Sequence, residues 1–149
     1  MKLVRTVMRP AAAVLMVASL VACSLGRSPV IQRETLAAQI AAGTGPLVLD
    51  VRSGSEYDAG HVPGAINLPF QSVASRHEEL AVAAGAPIVV YCAHGPRAAW
   101  AGRALRKAGY THVLYLDGHM TAWKKAGLPT EATPTAADPE SATDRDPSR

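Results

Sequence analysis

The chain has 149 residues, a length for one domain, and 48% of them are hydrophobic, enough to build a core. Fifteen basic against 12 acidic side chains give a formal charge of +3, but Lys2, Arg5 and Arg9 crowd the first ten positions. Beyond them 12 bases face 12 acids, and no basic stripe interleaved with aromatics occurs, which argues against nucleic acid as a partner.

In chain order, a basic stretch to Arg9 precedes eleven residues, Ala11 to Val21, that are apolar except for Ser19. A membrane span needs about 20 apolar residues and an export signal about 7–15, so residues 1–22 read as a signal peptide. Leu20-Val21-Ala22-Cys23 resembles the lipobox of bacterial lipoproteins, where cleavage precedes the cysteine and lipid is added to its sulfur. Ordinary secretory cleavage after Ala22 would put bulky Leu20 where a small residue is wanted, so lipidation of Cys23 is expected over plain secretion or an uncleaved anchor. Ser24 is not the aspartate associated with inner-membrane retention in enterobacterial lipoproteins. The expected place is the bacterial cell envelope, on the outer membrane facing the periplasm, with the membrane touched through the lipid alone.

Residues 23–29 are then the lipidated cysteine and its tether, and residues 30–129 the domain. Glu34 to Ala42 predicts a helix with Leu36 and Ile40 on one face and Gly43 ending it. Leu47 to Val51 and Ala65 to Leu68 predict strands, and Arg76 to Ala84 a helix. Pro87 to Cys92 and His112 to Leu116 are continuous apolar runs, as in strands buried on both faces. Between them, Pro96 to Ala108 predicts a helix that lays Ala98, Ala101, Leu105 and Ala108 on the sheet and turns Arg103, Arg106 and Lys107 to water. Trp100 and Trp123 read as core or rim packing, and the histidines show no metal-ligand spacing, so no metal is expected. Strands alternating with helices predict an α/β domain: a small parallel sheet of four to five strands with helices on both faces. Residues 130–149 hold three prolines and no Val, Ile, Leu or aromatic residue, the composition of a disordered tail.

The chemistry concentrates in Cys92-Ala93-His94-Gly95-Pro96-Arg97, between a buried strand and a helix start. Such a point leaves helix N–H groups unpaired and stabilises an anion, and the thiolate is the reactive form of cysteine. Gly95 permits unusual backbone angles, Pro96 suits the first helical position, and the amides of the loop can curl round the Cys92 sulfur. His94 is read either as a side chain facing water or as tuning the thiolate. Arg97 opposes the helix macrodipole and is better tolerated facing a carboxylate or a bound oxyanion. With Cys23 lipidated, Cys92 has no partner for a disulfide in the chain.

Three stretches together resemble the rhodanese (sulfurtransferase) family. They are Leu49-Asp50-Val51-Arg52 through Glu56-Tyr57 to Gly60–Pro69, the Cys92–Arg97 loop, and Leu116-Asp117-Gly118 through Trp123 to Gly127-Leu128-Pro129. The resemblance implies a rhodanese-like fold, with Asp50, Arg52 and the His61–Gly64 turn as architecture. It also implies sulfur transfer through a persulfide on Cys92, because a six-residue loop marks the sulfurtransferases. Relatives with a seven-residue loop resemble phosphatases or arsenate reductases, which stay as alternatives beside a persulfide carrier without turnover. The implied partners are a small anionic sulfur donor and a thiol, cyanide or protein acceptor, with Ala93 to Arg97 binding the donor and no cofactor required. One departure is Gly118-His119, where the family usually has two glycines. Histidine enters the left-handed region more readily than most residues, so the turn is expected to survive.

Overall fold

The structure, a computed structural model, describes residues 29–133; the expected signal peptide, Cys23 and the tail from residue 134 lie outside the described residues. The elements are β1 (Val30–Ile31), α1 (Arg33–Ala41), β2 (Leu47–Asp50), α2 (Gly54–Asp58), β3 (Ile66–Asn67), α3 (Val73–Arg76), β4 (Ile88–Tyr91), α4 (Pro96–Lys107), β5 (Val113–Leu116) and α5 (His119–Lys125). Short 3-10 turns at Phe70–Ser72 and His77–Leu80 flank α3. The five strands are all parallel, in the order β1-β5-β4-β2-β3.

Side chains alternate across a strand, and this sorts the core into two. Leu49, Ile88 and Val90 pack with Val73 of α3 and with Ala98, Ala101 and Leu105 of α4. Val48, Val89 and Tyr91 pack with Leu36 of α1 and with Met120 and Trp123 of α5. Helices thus cover both faces of the parallel sheet, the α/β architecture expected. Cys92 continues the register of Ile88 and Val90, so it falls among the α3–α4 cluster and is only 1% exposed.

The topology also sets where a ligand can sit. From β2 the chain moves outward to β3, and from β4 it moves the other way to β5. The connections leaving the carboxyl ends of these adjacent strands diverge, which opens a crevice there. Cys92 follows β4, and the segment from Arg52 to Glu56 follows β2.

Several local expectations are corrected. The helix expected over Arg76–Ala84 lies earlier: it begins at Val73, tightens at His77, and ends at Ala81, whose φ is 51°. Burial of Val73 and Leu80 sets those limits and overrides the helical propensity of the alanines that follow. Ala108 caps α4 and is exposed, because the helix stops at Lys107. Trp100 is 64% exposed rather than packed, whereas Trp123 is in the core with its indole N–H donated to the Pro129 carbonyl at 2.8 Å. The folded chain also runs past 129: Glu131 exchanges backbone bonds with His61 (2.7 and 2.9 Å) and its carboxylate accepts the Gly64 N–H at 2.9 Å. Backbone pairing of this kind needs no apolar side chain, so composition does not reveal it.

Candidate active site

β4 ends at Tyr91 and Gly95 caps α4, so the loop turns from strand to helix within a few residues. Gly95 makes the turn with φ at 121°, and a Cβ there would meet Nε2 of His119 at 3.0 Å. Pro96 takes the first helical position as expected. The Gly95 N–H donates to Cys92 Sγ at 3.0 Å. Strain of this kind costs about 1–3 kcal/mol in a residue with a side chain. Gly95→Ala is therefore expected to lower stability by about that amount in urea denaturation; an unchanged midpoint would mean the turn relaxes without cost.

The loop is anchored from behind by α5. Met120 and Thr121 donate backbone N–H groups to the carbonyls of Cys92 (3.0 Å) and Ala93 (3.3 Å), and the Thr121 hydroxyl donates to Ala93 at 2.9 Å. In a trans peptide the N–H points opposite the C=O. Tying those two carbonyls to α5 therefore directs the amides of Ala93 and His94 away from it.

His119 holds a left-handed φ of 54° after Gly118 at 62°, so the turn does survive with histidine in the second place. Its ring lies over the loop, where Nδ1 accepts the Cys92 N–H at 3.5 Å. That bond assigns the ring proton to Nε2. Burial lowers the pKa of His119, nearby His94 lowers it further and Asp117 opposes both, so the ring is neutral at neutral pH. The His94 side chain itself is exposed.

Arg97 faces a carboxylate. Its Nη1 and Nη2 donate to Glu56 at 2.6 and 2.9 Å, a two-pronged pair that ties the first turn of α4 to α2 across the crevice. The fork expected to meet a substrate oxyanion is thus already engaged. Glu56 also closes a capping box on Ser53, the start signal of α2. The Arg97 guanidinium, helped by Ser53 against some desolvation, holds the Glu56 carboxyl at about 2, well below its usual 4.5.

A carboxyl depressed in the folded state contributes stability above its unfolded pKa, and that stability fades as pH falls through the folded one. The stability advantage of the wild type over Glu56→Gln is therefore expected to shrink between about pH 4.5 and 2, read as urea midpoints against pH. A constant difference would show that the pair does not contribute to stability.

The structure thus brings Cys92, Ala93, Gly95, Pro96 and Arg97 into one loop, and adds Glu56, His119 and Thr121 as supports. Ser53-Gly54-Ser55-Glu56 carried the capping-box signal for α2, but nothing local marks Glu56 as the partner of Arg97.

Known proteins resemble this chain in sequence and fold. The rhodanese-like domain family matches residues 32–126. The HTH-type transcriptional regulator Rv0324 of Mycobacterium tuberculosis is 44% identical over 86 residues, covering 56% of this chain and 37% of that protein. A sulfurtransferase of Allochromatium vinosum is 33% identical over 102 residues, 68% of this chain and 94% of that protein. The crystal structure of the Alr3790 protein from Anabaena superimposes with a TM-score of 0.64 at 32% identity, covering 70% of this chain and 94% of that one. The chain spans little more than a third of the first of these relatives but nearly all of the second. The family match runs from the start of α1 to the end of α5, well over half of the sequence, and the chain belongs to the rhodanese-like domain family.

Proposed function

We propose that this chain is a sulfurtransferase that carries sulfane sulfur as a persulfide on Cys92. In the first half-reaction the Cys92 thiolate attacks the outer sulfur of a donor such as thiosulfate. The Sγ–S bond forms, the donor's S–S bond breaks, and sulfite leaves with the bond's electron pair. In the second, a thiol, cyanide or protein acceptor attacks the outer sulfur and Cys92 leaves as thiolate. Both steps are displacements, so no cofactor or external redox partner enters the balance. Two half-reactions through a covalent intermediate predict ping-pong kinetics.

The observation that carries this reading is the Gly95 N–H aimed at Cys92 Sγ from 3.0 Å at the mouth of the 12-residue α4. It places a fixed donor and the positive end of a helix where negative charge resides before, during and after transfer. The Arg97 side chain adds positive charge near the sulfur even while paired with Glu56. Burial of Cys92 to 1% exposure favours a slender terminal sulfur over a tetrahedral phosphate or arsenate centre. Relatives named sulfurtransferase agree with it.

The test is the intact mass of residues 24–149, which lack the signal peptide and Cys23, before and after thiosulfate. A gain of one sulfur, removed by cyanide with formation of thiocyanate, is expected. No gain from any sulfane donor, with the thiol confirmed free, would overturn the reading in favour of oxyanion hydrolysis or binding alone.

The same proposal places the protein in a bacterial envelope, lipid-anchored through Cys23 and facing the periplasm from the outer membrane. Support comes from the eleven-residue apolar run and from Leu20-Val21-Ala22 before Cys23. The full chain is expected in the membrane fraction and Cys23→Ala not to be processed to a lipidated form; an unlipidated, soluble wild type would remove the anchor.

A further inference from the structure

Four of the six arginines among the described residues pair with a carboxylate: Arg33 with Asp117, Arg52 with Asp50, Arg76 with Glu79 and Arg97 with Glu56. Arg103 and Arg106 have no carboxylate partner among the described residues, and neither has Lys107. All three are exposed on α4, a helix without an acidic residue. They share it with Trp100, which is 64% exposed. At about 3.6 residues per turn, Trp100, Arg103 and Lys107 fall in one stripe opposite the buried Ala98, Ala101 and Leu105. Arg106 turns to the flank, where its Nη1 donates to the Tyr115 hydroxyl at 3.0 Å. There it borders β1: Val30, 46% exposed, lines one open pocket with Arg103 and Arg106. A lone exposed aromatic or a lone cation is ordinary surface. A tryptophan flanked by uncompensated cations on one helix face is the composition of a membrane interface, where the ring sits at headgroup level and the charges reach the phosphates.

The place where the chain enters the domain favours the same occupant. Pro29 is fixed to β5, its carbonyl accepting the Tyr115 N–H at 2.9 Å. Cys23 lies six residues earlier, so a lipid on its sulfur keeps Pro29 within about 20 Å of the bilayer even with the tether drawn straight. Pro29 adjoins Val30, and Val30 adjoins the cationic flank of α4, itself only about 18 Å long. The tether contributes a further cation, Arg27.

We propose that the outward face of α4, from Trp100 through Arg103 to Lys107 with Arg106 and Val30 beside it, rests on an anionic phospholipid surface. The inference rests on the reading of Cys23 as a lipid anchor. Arg103, Arg106 and Lys107 meet headgroup phosphates, and Trp100 seats its ring among the headgroups. The anchor supplies proximity, so a small number of charges is enough to hold the domain in one orientation. α4 then lies along the surface. Because Cys92 belongs to the cluster on the inner side of this helix, its loop opens beside the bilayer and not into it.

The test is sedimentation of residues 24–149 with vesicles of phosphatidylcholine alone or of equal parts phosphatidylcholine and phosphatidylglycerol. This chain contains every described element and carries no anchor, so the face is measured by itself. Binding to the anionic vesicles and not to the neutral ones is expected, weakening as salt rises. In Arg103→Gln/Arg106→Gln/Lys107→Gln the partition constant is expected to fall at least about thirtyfold. Should loss of the Arg106–Tyr115 bond unfold that variant, Arg103→Gln/Lys107→Gln carries the test, with a fall of about tenfold. Brominated acyl chains should quench Trp100 on binding, over a constant signal from buried Trp123, and Trp100→Phe should abolish the quenching. No binding to the anionic vesicles, equal binding by the variants, or binding without quenching overturns the proposal. Binding only after removal of residues 134–149 would make the chain's own acidic tail the occupant, and a dimer that the same variants dissociate would make it a second copy; either overturns it. These outcomes leave the anchor itself to the Cys23→Ala fractionation, so the two readings fail separately.

Discussion

Cys92→Ser is expected to lower sulfur transfer by at least about a thousandfold, because it removes the atom on which the intermediate forms and not merely one contact. The substitution is well placed to separate chemistry from folding. Cys92 is buried in the α3–α4 cluster, where a hydroxyl left without a partner would cost about 1–3 kcal/mol. The Gly95 N–H that now meets Sγ remains available to the serine oxygen. The loss in stability is therefore expected at or below the low end of that range, while turnover collapses. Measured together, the urea midpoint and the rate of thiocyanate formation should move by very different amounts. Mass spectrometry should show no added sulfur on the variant after thiosulfate. Transfer at more than a few per cent of the wild-type rate would mean that sulfur travels by another route.

The parts of this molecule that were legible in the sequence are those whose signals are local. Ile88 to Tyr91 is apolar at every position and buried on both faces, so a continuous run was sufficient to read it as a strand. Pro96 and Gly95 mark the start of α4, and Ala98, Ala101 and Leu105 mark its buried face. β3 falls inside the strand expected over Ala65–Leu68, whereas β1 is a two-residue strand held by its neighbour's backbone and carries too few side chains for a periodic signal. The site divides along the same line. The cysteine loop is one contiguous segment, whereas Glu56 lies 41 residues from Arg97 and meets it only because β2 and β4 are neighbours. His119 shows the same dependence on packing: its sequence signal was a backbone question, and the structure adds a ring lying over the loop. The exposure of Trp100 reverses the usual reading of a large aromatic, since it falls on the side of α4 opposite Ala98, Ala101 and Leu105.

Asp50→Ala is expected to destabilise the fold by about 3–5 kcal/mol, because it leaves the Arg52 guanidinium buried without its counter-charge. Asp50 is fully buried and Arg52 is 4% exposed. The Asp50 carboxylate accepts the Arg52 backbone N–H at 2.9 Å and Nε at 3.0 Å, and Nη2 pairs with it as well. The same Nη2 donates to the Gly60 carbonyl at 2.9 Å, so the pair fastens the end of β2 to the turn that follows α2. Tyr91 backs it from β4: burial and the Asp50 charge push its phenol pKa up, and the neutral hydroxyl accepts the Val62 N–H at 3.1 Å. Losing the carboxylate therefore loosens the platform that presents Glu56 to Arg97. An apolar double replacement, Asp50→Leu with Arg52→Met, removes both charges together and is expected to cost less than Asp50→Ala alone, since no charge is stranded. It should not restore full stability, because the Gly60 carbonyl loses its donor. Urea denaturation of the three proteins checks the order wild type, double variant, single variant. If Asp50→Ala unfolds at the wild-type midpoint, the pair is not what fastens β2 to α2, and the position of Glu56 needs another explanation.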